Sequence, residues 1–300
     1  MAWYRFNLGK TIRCASAHVA ASCKYRCMCK RRFALTAIAA LAAVAMSACS
    51  TAGVAGEAVP ATGSAITQKA AILVPAESRY VDVSGKVVVS RDSYGSQYGA
   101  QPYPGIAIGQ HQSDGSTKDC TLGPAVTSSR GKGFITAGHC DQTPGGEVFV
   151  FADTNGAEPV SIGSITGAED KPTPQGYSDS AVIWTGTVDP SATKIAGRWP
   201  VTGVMAASEV RRLPVGTPIC IDGAWSGVVC GPLEAADDRY IRTPRLAQGG
   251  DSGAAVFVVD QKGEASLVGI HSGFENGQDE ATFLEPALER LGVQALTTAR

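Results

Sequence analysis

The chain has 300 residues, 44% of them apolar, with 35 glycines and 16 prolines. That length suits one or two domains with a sizeable core, and the glycine and proline punctuation favours short strands and turns over long helices. The formal charge of −1 hides an asymmetry: eight of the 26 basic residues and no acidic one fall in 1–48, which leaves 18 basic against 27 acidic residues, net −9, in the rest. An acidic body of this kind argues against recognition of DNA or RNA through phosphates.

In chain order, the first element is a leader over 1–48. Its apolar run FALTAIAALAAVAMSA follows Lys30-Arg31-Arg32 and ends on small residues, the pattern of an export signal and too short for a comfortable bilayer span. The last residues, Met46-Ser47-Ala48-Cys49, resemble a bacterial lipoprotein box, which makes Cys49 the lipidation candidate; an ordinary cleaved signal is the alternative. Residues 1–27 look foreign to a signal, and a start at Met28 leaves a compact leader. The expected location is outside the cell, either free or held by an N-terminal lipid to the outer face of the membrane.

Residues 49–103 read as a tether rich in Ala, Gly, Ser, Thr and Pro, passing into a pro-region or an extension packed on the body. From about 104 short apolar runs recur between turns: GIAIG, GPAVT, GFITAG, EVFVF, VSIGSI and SAVIW, then PICI, SGVVC, YIRT, GAAVFVV and SLVGIHS. Many short strands at this spacing predict an all-β protein with two halves, 104–195 and 196–300, joined near 187–205. The stretch LEPALERL, with apolar residues at i, i+4 and i+7, predicts a short C-terminal helix.

Four cysteines remain in the body, Cys120, Cys140, Cys220 and Cys230. An even number in an exported chain reads as two disulfides, with neighbours in sequence paired. Closing the first loop is worth about 3 kcal/mol on the chain-entropy view.

Three segments carry chemistry. Gly249-Gly250-Asp251-Ser252-Gly253 sets a serine among glycines, which lets the backbone turn tightly and aim N–H groups at one point. Thr136-Ala137-Gly138-His139-Cys140 places an imidazole after an apolar strand, beside a disulfide cysteine that would hold its backbone still. Asp179 opens the apolar run SAVIW and can be buried at a strand edge to orient the imidazole; Asp153, Asp170 and Asp189 are rivals in loop-like settings. The scattered histidines and paired cysteines offer no metal-ligand spacing, and no cofactor is expected.

TAGHC, SDSAVI and GGDSG, in the order His, Asp, Ser, resemble the chymotrypsin family over about 104–293. The bacterial branch with streptogrisins and glutamyl endopeptidases is the most similar, through Cys120-Thr121-Leu122-Gly123, the Cys220–Cys230 pair and Thr282-Phe283-Leu284-Glu285-Pro286. The resemblance implies a double six-stranded antiparallel β-barrel, with catalytic His139 and Asp179 from the first barrel and Ser252 from the second. It implies an oxyanion hole from the N–H groups of Gly250 and Ser252, and a substrate-binding edge at His271, Ser272 and Gly273, with the Ser272 hydroxyl near Asp179. In that branch the Asp before the nucleophile, here Asp251, is expected to pair with an arginine.

Leu246 stands where a trypsin-like enzyme carries Asp, so Arg or Lys preference is not expected. His271 stands where glutamyl endopeptidases meet the substrate carboxylate, which implies Glu or Asp before the scissile bond; a pocket lined by Leu246 and Phe274 is the alternative. The expected partners are protein or peptide substrates, and the chain is expected to be monomeric. A catalytically weak binding lipoprotein on the same scaffold is the rival functional class, and a structural lipoprotein with incidental Ser and His a more distant one.

Overall fold

The computed structural model describes residues 79–85, 98–99, 101–152, 158–174, 176–186 and 188–299. The leader, the alternative start at Met28, Cys49 and the rival acid Asp153 lie outside the described residues. The first sheet is built from β1 (Ala107–His111), β2 (Thr117–Thr121), β3 (Ala125–Ser128), β4 (Gly131–Thr136), β5 (Glu147–Phe151), β6 (Pro159–Thr173) and β7 (Gly176–Trp184). These run antiparallel in the order β3-β4-β7-β6-β5-β1-β2. β2 continues through Leu122, Gly123 and Pro124 into β3. Within that bend Leu122 N donates to Ile106 O on one side and Gly123 N donates to Ile135 O on the other. A single bent segment therefore closes the ring, and with β2 and β3 counted as its halves the barrel has six strands.

The connection carries β8 (Lys194–Ile195), β9 (Trp199–Val204) and one helical turn, α1 (Ala207–Val210). The second sheet follows with β10 (Pro218–Gly223), β11 (Gly227–Pro232), β12 (Ala235–Ala236), β13 (Ile241–Pro244), β14 (Ala255–Val259), β15 (Ala265–Glu275) and β16 (Gln278–Phe283). Its order is β11-β10-β14-β15-β16-β13-β12, with β9 added alongside β15 in parallel. It closes by the same device: between β11 and β12, Leu233 N donates to Thr217 O and Glu234 N to Arg242 O. The predicted C-terminal helix is α2 (Leu284–Leu291), ended by Gly292 in the left-handed conformation, after which β17 (Gln294–Ala295) returns to pair with β3. The architecture is the all-β double barrel that the strand spacing and the resemblance implied.

Three apolar clusters explain why these strands read as nearly continuous hydrophobic runs. Side chains of a strand alternate between faces, so a strand with both faces covered is apolar throughout. In β14, Val256 and Val258 join Ile219, Ile221 and Val268 inside the second barrel. The alternate residues Ala255, Phe257 and Val259 face a shared core with Ile135 and Val182 of the first barrel and Leu284 and Leu288 of α2. Likewise Phe134 and Ile183 point into the first barrel with Ile108, Leu122 and Val150. The barrels are thus held together by an apolar seam, and the site lies at that seam.

The disulfides pair Cys120 with Cys140 and Cys220 with Cys230, as expected. The second links residues directly opposite each other on β10 and β11. Residues 79–85, within the expected tether or pro-region, are built into the body. Val81 N donates to Val259 O at 2.9 Å, Cys230 N donates to Ser84 Oγ at 2.8 Å, and the side chains of Tyr80 and Val83 are buried in the second barrel and the shared core respectively. Among the described residues no helix is long and apolar enough to cross a membrane.

Candidate active site

β4 ends at Thr136, and the chain turns through one 3-10 turn, Gly138–Cys140, that presents His139. Cys140 is tied to the end of β2 by its disulfide, so the turn is anchored on both sides of the imidazole. Asp179 lies in β7, the neighbour of β4, and is 2% exposed. Its two carboxylate oxygens take separate hydrogen bonds from one residue: His139 N donates to Oδ1 at 3.0 Å, and His139 Nδ1 lies 2.8 Å from Oδ2. A carboxylate only accepts, so Nδ1 carries the proton and Nε2 is left with its lone pair. Burial alone would lower the pKa of His139. The hydrogen bond and charge of Asp179, with the charge of Asp170, outweigh it and leave the pKa raised.

The rival acids have other tasks. Asp170 pairs across the sheet with Asp179 and accepts from Tyr177 Oη at 2.9 Å. Asp189 caps a 3-10 turn, accepting from Ser191 N and Oγ.

Ser252 lies in the loop before β14 and is half-buried. Gly253 has φ +90°, and a Cβ there would collide with Thr136 Oγ1 and Thr121 O, so the loop seats against the end of β4 only with glycine at this position. Gly250 has φ +96°, and a Cβ there would strike the Trp225 indole. The loop is pinned by Asp251 N to Gln248 O, Gly253 N to His271 O and Ala254 N to Asp251 O. Among the described residues, the N–H groups of Gly250 and Ser252 have no acceptor within the protein.

The structure joins His139 to Asp179 directly, but Ser252 meets the histidine turn through a neighbour: Cys140 Sγ lies 3.9 Å from Ser252 O. Among the described residues Ser252 Oγ makes no hydrogen bond to His139. Such contacts are commonly long in a free enzyme and tighten with substrate.

Among the described residues Asp251 is not paired with an arginine, in contrast to the expectation. Its buried carboxylate accepts from Trp225 N, Ser226 N, Ser226 Oγ and Gln248 N at 2.6–3.3 Å. Four donors from the β10–β11 turn and the loop itself satisfy the charge, so a guanidinium has no place to dock. No short motif in the sequence marks Ser226 for this role.

The substrate-edge candidates lie together on β15. Ser272 is the extra residue of a bulge between β15 and β16: His271 opposes Ala281 and Gly273 opposes Glu280. Its hydroxyl is buried with no partner among the described residues, so the contact with Asp179 expected for it is not made; instead Thr282 Oγ1 donates to Asp179 O at 3.4 Å. Ser272, Gly273 and Phe274 line a groove with His139, Asp179, Tyr177 and Tyr240.

His271 is 1% exposed, with Nε2 3.4 Å from Asp279 Oδ1 and Nδ1 buried without a partner among the described residues. Leu246 N and Ala247 N donate to Asp279 Oδ2, so the Leu246 segment and His271 are coupled through one carboxylate. Burial would raise the pKa of Asp279, but the bonds from His271 and the two N–H groups hold it below the usual value. Cys120, His139 and Cys140 lie within metal-ligating reach of one another, yet both sulfurs are spent in the disulfide.

No family model matches the sequence, and no curated protein matches it. Among solved structures, the chain is similar to protease A of Thermobifida fusca at 23% identity, over 66% of this chain and 100% of that one, with a TM-score of 0.45. It is similar to a chymotrypsin of Cellulomonas bogoriensis at 25% identity, over 65% and 98% of the two chains, with a TM-score of 0.43. A glutamic-acid-specific serine protease, described as using a histidine triad in substrate binding, is similar at 22% identity over 65% and 100%, with a TM-score of 0.45. Two barrels closed in turn by one chain, with the histidine turn of the first against the serine loop of the second, give this protein a chymotrypsin-like double β-barrel fold.

Proposed function

We propose that the protein is an exported serine endopeptidase acting through an acyl-enzyme. The observation that carries the reading is the pair of hydrogen bonds from His139 to Asp179, which leaves Nε2 as a base next to a serine loop with two unengaged N–H groups. In the first step Ser252 Oγ attacks the scissile carbonyl as Nε2 takes its proton, and the N–H groups of Gly250 and Ser252 receive the oxyanion. Collapse expels the amine, which takes the proton from His139. A water, deprotonated by the same imidazole, then releases the acid and restores the serine. Asp179 orients the imidazole and compensates the imidazolium.

A fluorophosphonate probe tests this. Labelling of the folded protein that is lost in Ser252→Ala is expected, with turnover in Ser252→Ala or His139→Ala down by a factor on the order of 10⁶. Absence of labelling and turnover in the folded mature protein would instead favour the binding lipoprotein. Two disulfides support an oxidising compartment. Lipidation at Cys49 is part of the proposal and is checked by mass spectrometry of the mature N-terminus.

The proposal extends to a preference for Glu or Asp before the scissile bond. The support is His271: it directly precedes Ser272 of the groove, its Nε2 faces Asp279, and among the described residues its buried Nδ1 has no partner, a place we assign to a substrate carboxylate. Peptides differing only before the cleaved bond (Glu, Asp, Phe, Ala, Arg) decide the matter, since equal or faster cutting after Phe would eliminate an acidic preference.

A further inference from the structure

Thr121 ends β2 in the first barrel and is fully buried, yet its polar atoms are directed at the nucleophile loop of the second. Its backbone N donates to Ser252 O at 2.7 Å. Its hydroxyl donates to Gly250 O at 2.8 Å and accepts from Ala224 N at 3.1 Å. Its carbonyl accepts from Thr136 Oγ1 at 3.0 Å, at the end of the strand that leads to His139. One residue thus holds the carbonyls on either side of Asp251, and the preceding Cys120 is bonded to Cys140, beside the imidazole.

A trans peptide is planar, so fixing a carbonyl fixes the N–H at its other end. The 250–251 unit is held at Gly250 O by Thr121 and at Asp251 N by Gln248 O. The 252–253 unit is held at Ser252 O by Thr121 and at Gly253 N by His271 O. Between them the 251–252 unit is held at Asp251 O by Ala254 N, which leaves the Ser252 N–H directed away from that bond. Gly250, with φ +96° and no side chain, has little of its own to resist rotation of the 250–251 unit. The Thr121 hydroxyl supplies that resistance from the opposite barrel.

We propose that Thr121 is a positioning residue of the oxyanion hole: its hydroxyl locks the 250–251 peptide, so the two oxyanion donors converge only when the first barrel is docked against the second. The inference rests on the serine-endopeptidase reading. The decisive variant is Thr121→Val, which keeps shape and removes the donor, compared with Thr121→Ser, which restores it. With a peptide substrate, Thr121→Val is expected to lower kcat about 10- to 100-fold with KM within about threefold, because a misaimed donor weakens the transition state rather than ground-state binding. A peptide boronate, which mimics the tetrahedral state, should lose affinity in parallel with kcat, while a product peptide should not. Thr121→Ser should recover kcat to within about threefold.

A folded Thr121→Val protein with kcat within twofold of wild type, a loss confined to KM, or a Ser variant as impaired as Val would overturn the inference. Should the Val variant not fold, Thr121→Ala takes its place, and unchanged boronate affinity there overturns it equally. Wild-type protein inert to substrate and to the fluorophosphonate brings down the enzyme reading and this inference with it. Reactive wild type with an equally reactive Val variant removes this inference alone.

Discussion

At the scale of single residues, the raised pKa of His139 makes a signed prediction. The base must be unprotonated, so the acidic limb of the kcat/KM profile should lie above the ordinary imidazole value of 6.5. Asp179→Asn removes the partner that favours the imidazolium, so the limb should move to lower pH while kcat falls by about 10⁴. A pH–rate profile of the two proteins checks this, and a limb that stays in place would separate Asp179 from the base. The triad candidates were legible in the sequence because each brings its own local mark: an apolar strand ending in GHC, an Asp opening an apolar run, a serine between glycines. Thr121 and Ser226 bring none. Each is a buried hydroxyl in an unremarkable strand or turn, and its role comes from a partner 129 or 25 positions away.

At the scale of elements, the turn between β10 and β11 supports the serine loop. Ser226→Ala removes one of four donors from the buried Asp251 carboxylate, and a hydrogen bond to a charged group contributes about 1.5–3 kcal/mol. A lowered denaturant midpoint with an unchanged m-value is the expected result, and an unchanged midpoint would show that the three N–H donors suffice. The segment at 79–85 belongs here too. Loss of the buried Tyr80 and Val83 contacts should cost about 3 kcal/mol or more, so a chain beginning at residue 86 should melt well below one beginning at Arg79. Equal melting temperatures would mark the segment as dispensable. From sequence this stretch is ambiguous, since a few apolar residues in a Gly- and Ser-rich region fit a tether as well as a strand. Its docking is decided by β14 and β11, which lie more than a hundred residues further along the chain.

At the scale of the molecule, the barrels are joined by the apolar seam around Phe257, which is fully buried beside Trp199, Ile135 and Leu284. Phe257→Ala should destabilise the protein by about 3–5 kcal/mol. Because the site straddles that seam, activity should be lost together with the thermal transition. Activity that persists after the seam has melted would show that one barrel suffices. The surroundings of His271 are also a whole-molecule property: His271, Asp279 and the Leu246 backbone come from three separate segments and meet only in the closed second barrel.

The sequence by itself determined the strand-and-turn class, the short C-terminal helix, the disulfide partners and the three ordered motifs, because these depend on local periodicity, on turn chemistry and on which side chains exist. Tertiary structure alone decided how each barrel closes, which donors satisfy Asp251, that Ser272 sits on a bulge, and that a threonine of the first barrel grips the serine loop of the second. Those are contacts between segments that lie from a few to more than a hundred residues apart, or shifts of register by a single one, and they are settled by packing and backbone hydrogen bonding rather than by any pattern along the chain.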